Sequence, residues 1–217
     1  MEESNHRNKL NISFLAIAFL FLLNISIHAS ISDSAIIKIH FLYGSRPFKL
    51  YKSIESKWFG GMLGGHVGIE IGKDSVLSFL PKCKFNLFQR KSLKCGYFTI
   101  QSVRDFYEVL GGRYDSVKRT EICVPITIGQ KSRLYSISAA YTKKTPFDYA
   151  FFGMRCAAAA YYVMGKAGIL EMASDRLPWL EIFYPKILRR KLLALSERNN
   201  WSVVRKEGTK RRKWEKD

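Results

Sequence analysis

The chain has 217 residues, with 36 Lys+Arg against 18 Asp+Glu and a formal net charge of +18. Hydrophobic residues at 47% and aromatics at 14% exclude general disorder, and 6 Pro with 15 Gly exclude collagen-like or low-complexity sequence. Four cysteines are too few for a disulfide scaffold, so the composition describes one basic globular domain of mixed α and β structure, with room for appendages.

Met1 to Lys9 is polar, with Arg7 and Lys9 as its cations, and Phe14 to Leu23 is an uninterrupted apolar run. Ile27-His28-Ala29 places a small residue where a signal peptidase cuts. These are the parts of a secretory signal. The run falls short of the roughly 20 apolar residues of a membrane span, and Asn11 and Asn24 flank it. Residues 1–29 are therefore expected to be a signal peptide or a membrane anchor, ahead of a buried core helix. The protein is expected to be exported, to the periplasm or the outer face of the membrane. No arginine-aromatic signature of a nucleic-acid module accompanies the charge, and an exported protein meets phospholipid head groups, lipopolysaccharide and cell-wall acids instead. Lys186 to Asp217 holds 12 Lys+Arg against 4 Asp+Glu, a net +8. Near an anionic surface each such cation contributes about 1 kcal/mol to adsorption; a solvated basic face is the other reading.

In chain order, Ala35 to Tyr43 reads as a strand closed by Gly44, and Lys49 to Lys57 as a short helix or loop. A glycine-rich stretch, residues 59–65, leads into His66-Val-Gly-Ile-Glu-Ile71. That hexapeptide alternates, with Val67, Ile69 and Ile71 on one face and His66, Gly68 and Glu70 on the other. Gly72-Lys-Asp74 is a hairpin turn and Ser75 to Leu80 the return strand. Residues 81–101 are basic and aromatic, with Cys83 and Cys95 either bridged or free. Ser102 to Leu110 reads as a short helix, and Thr120 to Ile128 as a strand in which Pro125 demands an edge or a bulge. Cys123 is expected in the core and His40 half-solvated. Helical spacing follows over Gln130 to Lys143. After Thr145-Pro146, four alanines from Ala157 make a strong helix with Cys156 at its start. Pro185 to Ser196 is a basic amphipathic helix, and Trp201 to Lys206 with Lys210 to Lys216 suggests a terminal hairpin. On Pro185 to Ser196, Lys186, Arg189, Arg190 and Lys191 either flank a lipid-facing leucine stripe or are solvated while the leucines pack inward.

Outside the first thirty residues only His40 and His66 are available, with no metal-ligand spacing, CxxC pair or acidic cluster, so no metal and no cofactor is expected. A Ser-hydrolase elbow and a phosphate-binding glycine loop are also missing. What remains is a cysteine and a histidine. A helix N-terminus and the adjacent Arg155 are expected to lower the Cys156 pKa, and His66, at a strand start after two glycines, is placed to take the thiol proton. The competing reading is a small buried core cysteine and a packed histidine.

The stretches 64–71 and 149–164 resemble the circularly permuted branch of the NlpC-type papain-like superfamily. There an H-x-G-I-x-I-G strand carries the base and a later C-S-x-[FY]-V-x-x-x-[LM] helix the nucleophile. Lecithin:retinol acyltransferase-like and bacterial lipoprotein N-acyltransferase-like domains share the pattern. The resemblance covers roughly residues 35–170 and implies Cys156 as nucleophile and His66 as base. The family's third polar group, usually His, Asn, Gln or Glu, falls at Ser78, which hairpin pairing of Gly68 with Ser78 makes a diagonal neighbour of His66. Glu70, Tyr149 and Arg155 stand as candidate substrate contacts.

The expected fold is α+β, papain-like and circularly permuted, with an antiparallel sheet packed against the helix carrying the cysteine. Residues 30–184 form that domain and 185–217 a basic helix and hairpin. The expected function is an exported thiol-dependent acyltransferase or hydrolase, working through a thioester on a lipid-linked or cell-envelope substrate. The alternatives are a cell-wall cysteine peptidase or amidase and a non-catalytic envelope-binding module. Anionic envelope lipid is the expected partner, with peripheral membrane contact, no nucleic acid and a monomeric state.

Overall fold

The computed structural model describes residues 34–55, 57–58, 64–82, 86–89, 95–174 and 176–217; residues 1–29, expected to be a signal peptide or anchor, and Cys83 lie outside them. The strands are β1 (Ser34–Leu42), β2 (Ser45–Pro47), β3 (His66–Gly72), β4 (Ser75–Pro81), β5 (Gly96–Gln101), β6 (Arg119–Thr127), β7 (Val203–Lys206) and β8 (Arg212–Trp214). The helices are α1 (Val103–Glu108), α2 (Ile128–Lys143), α3 (Cys156–Lys166), α4 (Pro178–Glu181) and α5 (Pro185–Asn199), with a 3₁₀ turn at Lys49–Tyr51. Six strands form one antiparallel sheet in the order β5-β4-β3-β1-β6-β7, and β2 pairs with β8 in a separate ribbon. The α+β class follows directly. Among the described residues no helix is long and apolar enough to cross a membrane.

The alternation of β3 divides the interior into two cores. Val67, Ile69 and Ile71 join Ile37, Ile39 and Phe41 of β1 and Leu77 and Phe79 of β4 under α3. The opposite face carries Leu42, Val76 and the α1 residues Phe106 and Tyr107. Ala157, Ala158, Ala159 and Ala160 are all buried; their small side chains let α3 lie close to the sheet. A capping box closes the start of α2, with the Thr127 side chain accepting from the Gln130 N–H and the Gln130 side chain from the Thr127 N–H.

The expected Gly68–Ser78 pairing is present, although the turn differs at its tip. Gly72 pairs directly with Ser75, a bulge absorbs the extra residue between Glu70 and Gly72, and Asp74 takes φ +52°. Strand β5 was not legible in the basic run before it; it gains its place by pairing along its whole length with Val76 to Pro81 of β4. Pro125 is exposed, beyond the stretch Arg119 to Ile122 that β7 covers, so its missing N–H costs no ladder bond to β7.

The C-terminal segments do not form a hairpin with each other. β7 pairs with β6 and β8 with β2, because each finds a sheet edge already built by earlier elements. Leu188 and Leu192 of α5 pack inward, so the leucines are not a lipid-facing stripe. Arg189 is fully buried: Nη1 lies 2.9 Å from Glu215, Nε 2.7 Å from Asp217, and the guanidinium sits 3.7 Å over the Tyr43 ring. Lys191 pairs with Glu181.

Entry into β3 depends on Gly65, at φ +61°, where an added Cβ would fall 1.8 Å from the Leu42 carbonyl oxygen. Gly65→Ala is expected to cost at least about 2 kcal/mol in denaturant unfolding. Gly129→Ala meets only contacts of 3.8 Å or longer and is expected to be neutral or stabilising by about 0.5 kcal/mol.

Candidate active site around Cys156

Cys156 is the first residue of α3, after an extended Arg155 in the N-cap position. The thiol is buried, with the residue 4% exposed. Its sulfur receives hydrogen bonds from the main-chain N–H groups of Val67 and Ala157 and from the Tyr149 hydroxyl. The helix thus meets β3 through its backbone, one residue beyond His66. These donors and the Arg155 charge favour thiolate, yet desolvation outweighs them and burial pushes the thiol up to about 11. That overturns the expectation of a lowered pKa. The cation and the N–H donors at the helix start do act in the expected direction, but their effect is smaller than the loss of solvent.

Arg155 also has a structural engagement. Its guanidinium donates to the Phe183 carbonyl and lies over Phe151, Phe183 and Tyr184, at 5.0, 3.9 and 4.4 Å from the ring centroids. It is 9% exposed, which fits a strut between the α3 start and the 177–184 segment better than a substrate contact. Tyr149 stacks on Phe79, centroids 5.3 Å apart, and points its hydroxyl at the sulfur.

His66 lies on the other face of β3 from Val67. Its ring stacks on Phe106 at 5.3 Å and 26°, and Phe106 also presses on Gly68, where a Cβ would come within 2.7 Å of it. Desolvation lowers the imidazole to about 4, so it is neutral at physiological pH. Among the described residues its buried Nε2 has no hydrogen-bond partner, the Cys156 thiol included. Ser78 sits on the same face, opposite Gly68, with its buried Oγ also unpartnered. The structure therefore gathers His66 and Ser78 under α1, and Cys156, Tyr149 and the Val67 N–H under the opposite face.

Glu70 serves neither group. It accepts from His40 Nε2 at 2.8 Å and lies 3.5 Å from Lys38, and the His40 bond holds its carboxyl below the ordinary value. With Nε2–H directed at the carboxylate, His40 Nδ1 accepts from the Tyr107 hydroxyl at 2.9 Å. His40 is 1% exposed, not half-solvated. The pairing of His40 with Gly68 in β1–β3 brings it diagonally to Glu70, a relation that needs the strand order and is absent from either segment alone. The Val67 N–H had no sequence signal, since every residue but proline carries one. Cys95 is a free thiol and Cys123 is half-buried. Among the described residues no three His, Cys, Asp or Glu side chains are grouped to hold a metal.

Compared with family models, curated proteins and solved structures, the chain matches none of them.

Two measurements follow from these environments. The rate of Cys156 alkylation by iodoacetamide is expected to keep rising towards pH 11 and to be slower at pH 7 than for free cysteine; a plateau near pH 7 would contradict the burial argument. For His66 the unfolded imidazole, near 6.5, takes up a proton that the folded one refuses until about 4. The stabilisation it gives is complete above pH 6.5 and is lost as pH falls towards 4, by about 3 kcal/mol. Urea unfolding across that window should show the slope, and His66→Leu should flatten it.

Proposed function

We propose that the chain is an exported cysteine-dependent acyl-transfer enzyme, an acyltransferase or hydrolase, on a circularly permuted papain-like fold. The observation that carries this reading is the seating of Cys156: first residue of α3, its sulfur against the N–H of the residue that follows His66. Strand and helix bearing the two motifs are in direct contact although ninety positions separate them in the chain.

The proposed reaction requires the imidazole of His66 to leave its stack on Phe106 and turn past the start of β3 towards the sulfur; the thiol proton then passes to that neutral imidazole as the sulfur attacks an acyl carbonyl. The S–C bond forms, the leaving group departs with the proton from the imidazolium, and a thioester remains on Cys156. Water or an amine then resolves it, with His66 again accepting the proton. The neutral state and unpartnered Nε2 of His66 suit an acceptor role. Ser78 would orient the ring through a bridging water. The basic surface favours a lipid-linked or anionic cell-envelope substrate.

One observation favours a second reading, a non-catalytic envelope-binding module. Both groups are 4% exposed, and the imidazole stacks on Phe106 instead of meeting the sulfur. Intact-mass analysis after incubation with p-nitrophenyl acyl esters of increasing chain length separates the two. The enzyme reading expects one acyl group on Cys156, none on Cys156→Ser, and acylation slowed at least about 100-fold in His66→Gln. Failure of wild type to acylate with every ester would leave the module.

A further inference from the structure

The cations of the β2–β8 ribbon are arranged in a way that the protein's own carboxylates do not balance. Arg46 and Lys213 are directly opposite each other in the antiparallel pairing, where like charges on one face destabilise the pair. Both are exposed, and both line a cavity of about 380 Å³ with Lys186, Lys216, Trp58 and Trp214. That volume is within the range of small-ligand sites.

The nearby acids are committed elsewhere. Glu55 pairs with Arg211 at 2.8 Å and with Arg212 at 3.0 Å. Asp217 is held by Arg189 and accepts from the Tyr43 hydroxyl. Glu215, which also lines the cavity, has its carboxylate 2.9 Å from buried Arg189 and its side chain 6% exposed. Among the described residues Arg46, Lys213 and Lys216 have no carboxylate partner. Four cations thus surround one opening whose single acid is neutralised from beneath.

The aromatic wall is fixed on one side. Trp214 donates from Nε1 to the Thr209 carbonyl at 3.1 Å, and its ring lies so close to Gly208 that a Cβ there would fall 2.1 Å from it. Trp58, 38% exposed, offers a second indole. Guanidinium and ammonium groups beside aromatic faces suit a ligand with a multiply charged anionic end and a ring or apolar body.

We propose that this cavity binds a phosphomonoester or pyrophosphate group, its charge seated between Arg46 and Lys213 and closed over by Lys186 and Lys216. The site shares no residue with the surroundings of Cys156 and does not depend on the thiol chemistry. The bound anion removes the repulsion between the paired cations, so binding and ribbon stability are coupled.

The test uses the full chain, with inorganic pyrophosphate as probe at constant ionic strength. Pyrophosphate is expected to change tryptophan fluorescence saturably and to raise the melting temperature. Lys213→Gln/Lys216→Gln should weaken binding by at least about tenfold, and Trp58→Phe should reduce the optical signal without abolishing the thermal shift. Without ligand, Arg46→Gln should melt at or above the wild-type temperature, because it removes a like-charge pair; this variant also supplies the binding comparison if the double variant is poorly folded. Phosphatidylcholine vesicles with and without phosphatidic acid distinguish the sources. Displacement of pyrophosphate only by the phosphatidic acid vesicles identifies a lipid headgroup, and displacement by neither identifies a soluble phosphate ester. No saturable change in wild type, equal binding by the Gln variants, or an Arg46→Gln variant that melts well below wild type would each overturn the proposal.

Discussion

The site depends on the side-chain alternation of β3 between two cores. One face must be apolar to receive α3, and the run of alanines lets the helix come near enough for its first residue to touch strand backbone at Val67. The other face must be nearly flat at Gly68, because Phe106 and the Val76 side chain fill the space a Cβ would need, at 2.7 and 2.4 Å. Phe106 then covers His66. A single seven-residue strand therefore fixes the position of the thiol through its main chain and the burial of the imidazole through its opposite face.

Burial also sets the chemistry. At Cys156, three hydrogen-bond donors and a neighbouring guanidinium fall short of the solvation that bulk water would give a thiolate. His66 responds to the same loss in the other direction, so the resting pair is neutral on both sides. In the proposed reaction a neutral thiol and a neutral acceptor would need no ion pair in the ground state, and proton transfer would accompany attack. Tyr149 keeps its proton: burial raises its pKa far above the physiological range, so the hydroxyl remains a donor to sulfur.

Local patterns in the sequence were sufficient where an element's faces or ends determine it. The strict alternation of residues 66–71 and the turn after it gave the pairing of Gly68 with Ser78, and the alanine run gave the helix that starts at Cys156. Non-local pairings were not legible. β2 and β8 are three residues each and exist only because distant segments meet, and β7 joins an edge left by β6 and not its sequence neighbour. His40 shows the same limit in a side chain: beside Lys38 it reads as solvated, and only the β1–β3 register reveals Glu70 and α1 above it. Pro125 was informative because a missing N–H has a fixed structural meaning wherever the strand lies.

Charge was the least transferable of the sequence signals. The +8 of residues 186–217 suggests a continuous basic surface, yet its cations divide into distinct physical roles. Arg189 is inside, where an unpaired guanidinium would carry a large desolvation cost. It is kept there by Glu215 and Asp217, and its stacking on Tyr43 ties α5 to the end of β1. Tyr43 in turn reaches Thr120 at 2.9 Å, so the clamp extends to β6. Lys191 of α5 is paired with Glu181 of α4. Glu215 and Asp217 are thus engaged by the buried arginine, while among the described residues Lys213 and Lys216 beside them have no carboxylate partner. The electrostatics of the ribbon are in this way tied to the closure of the core.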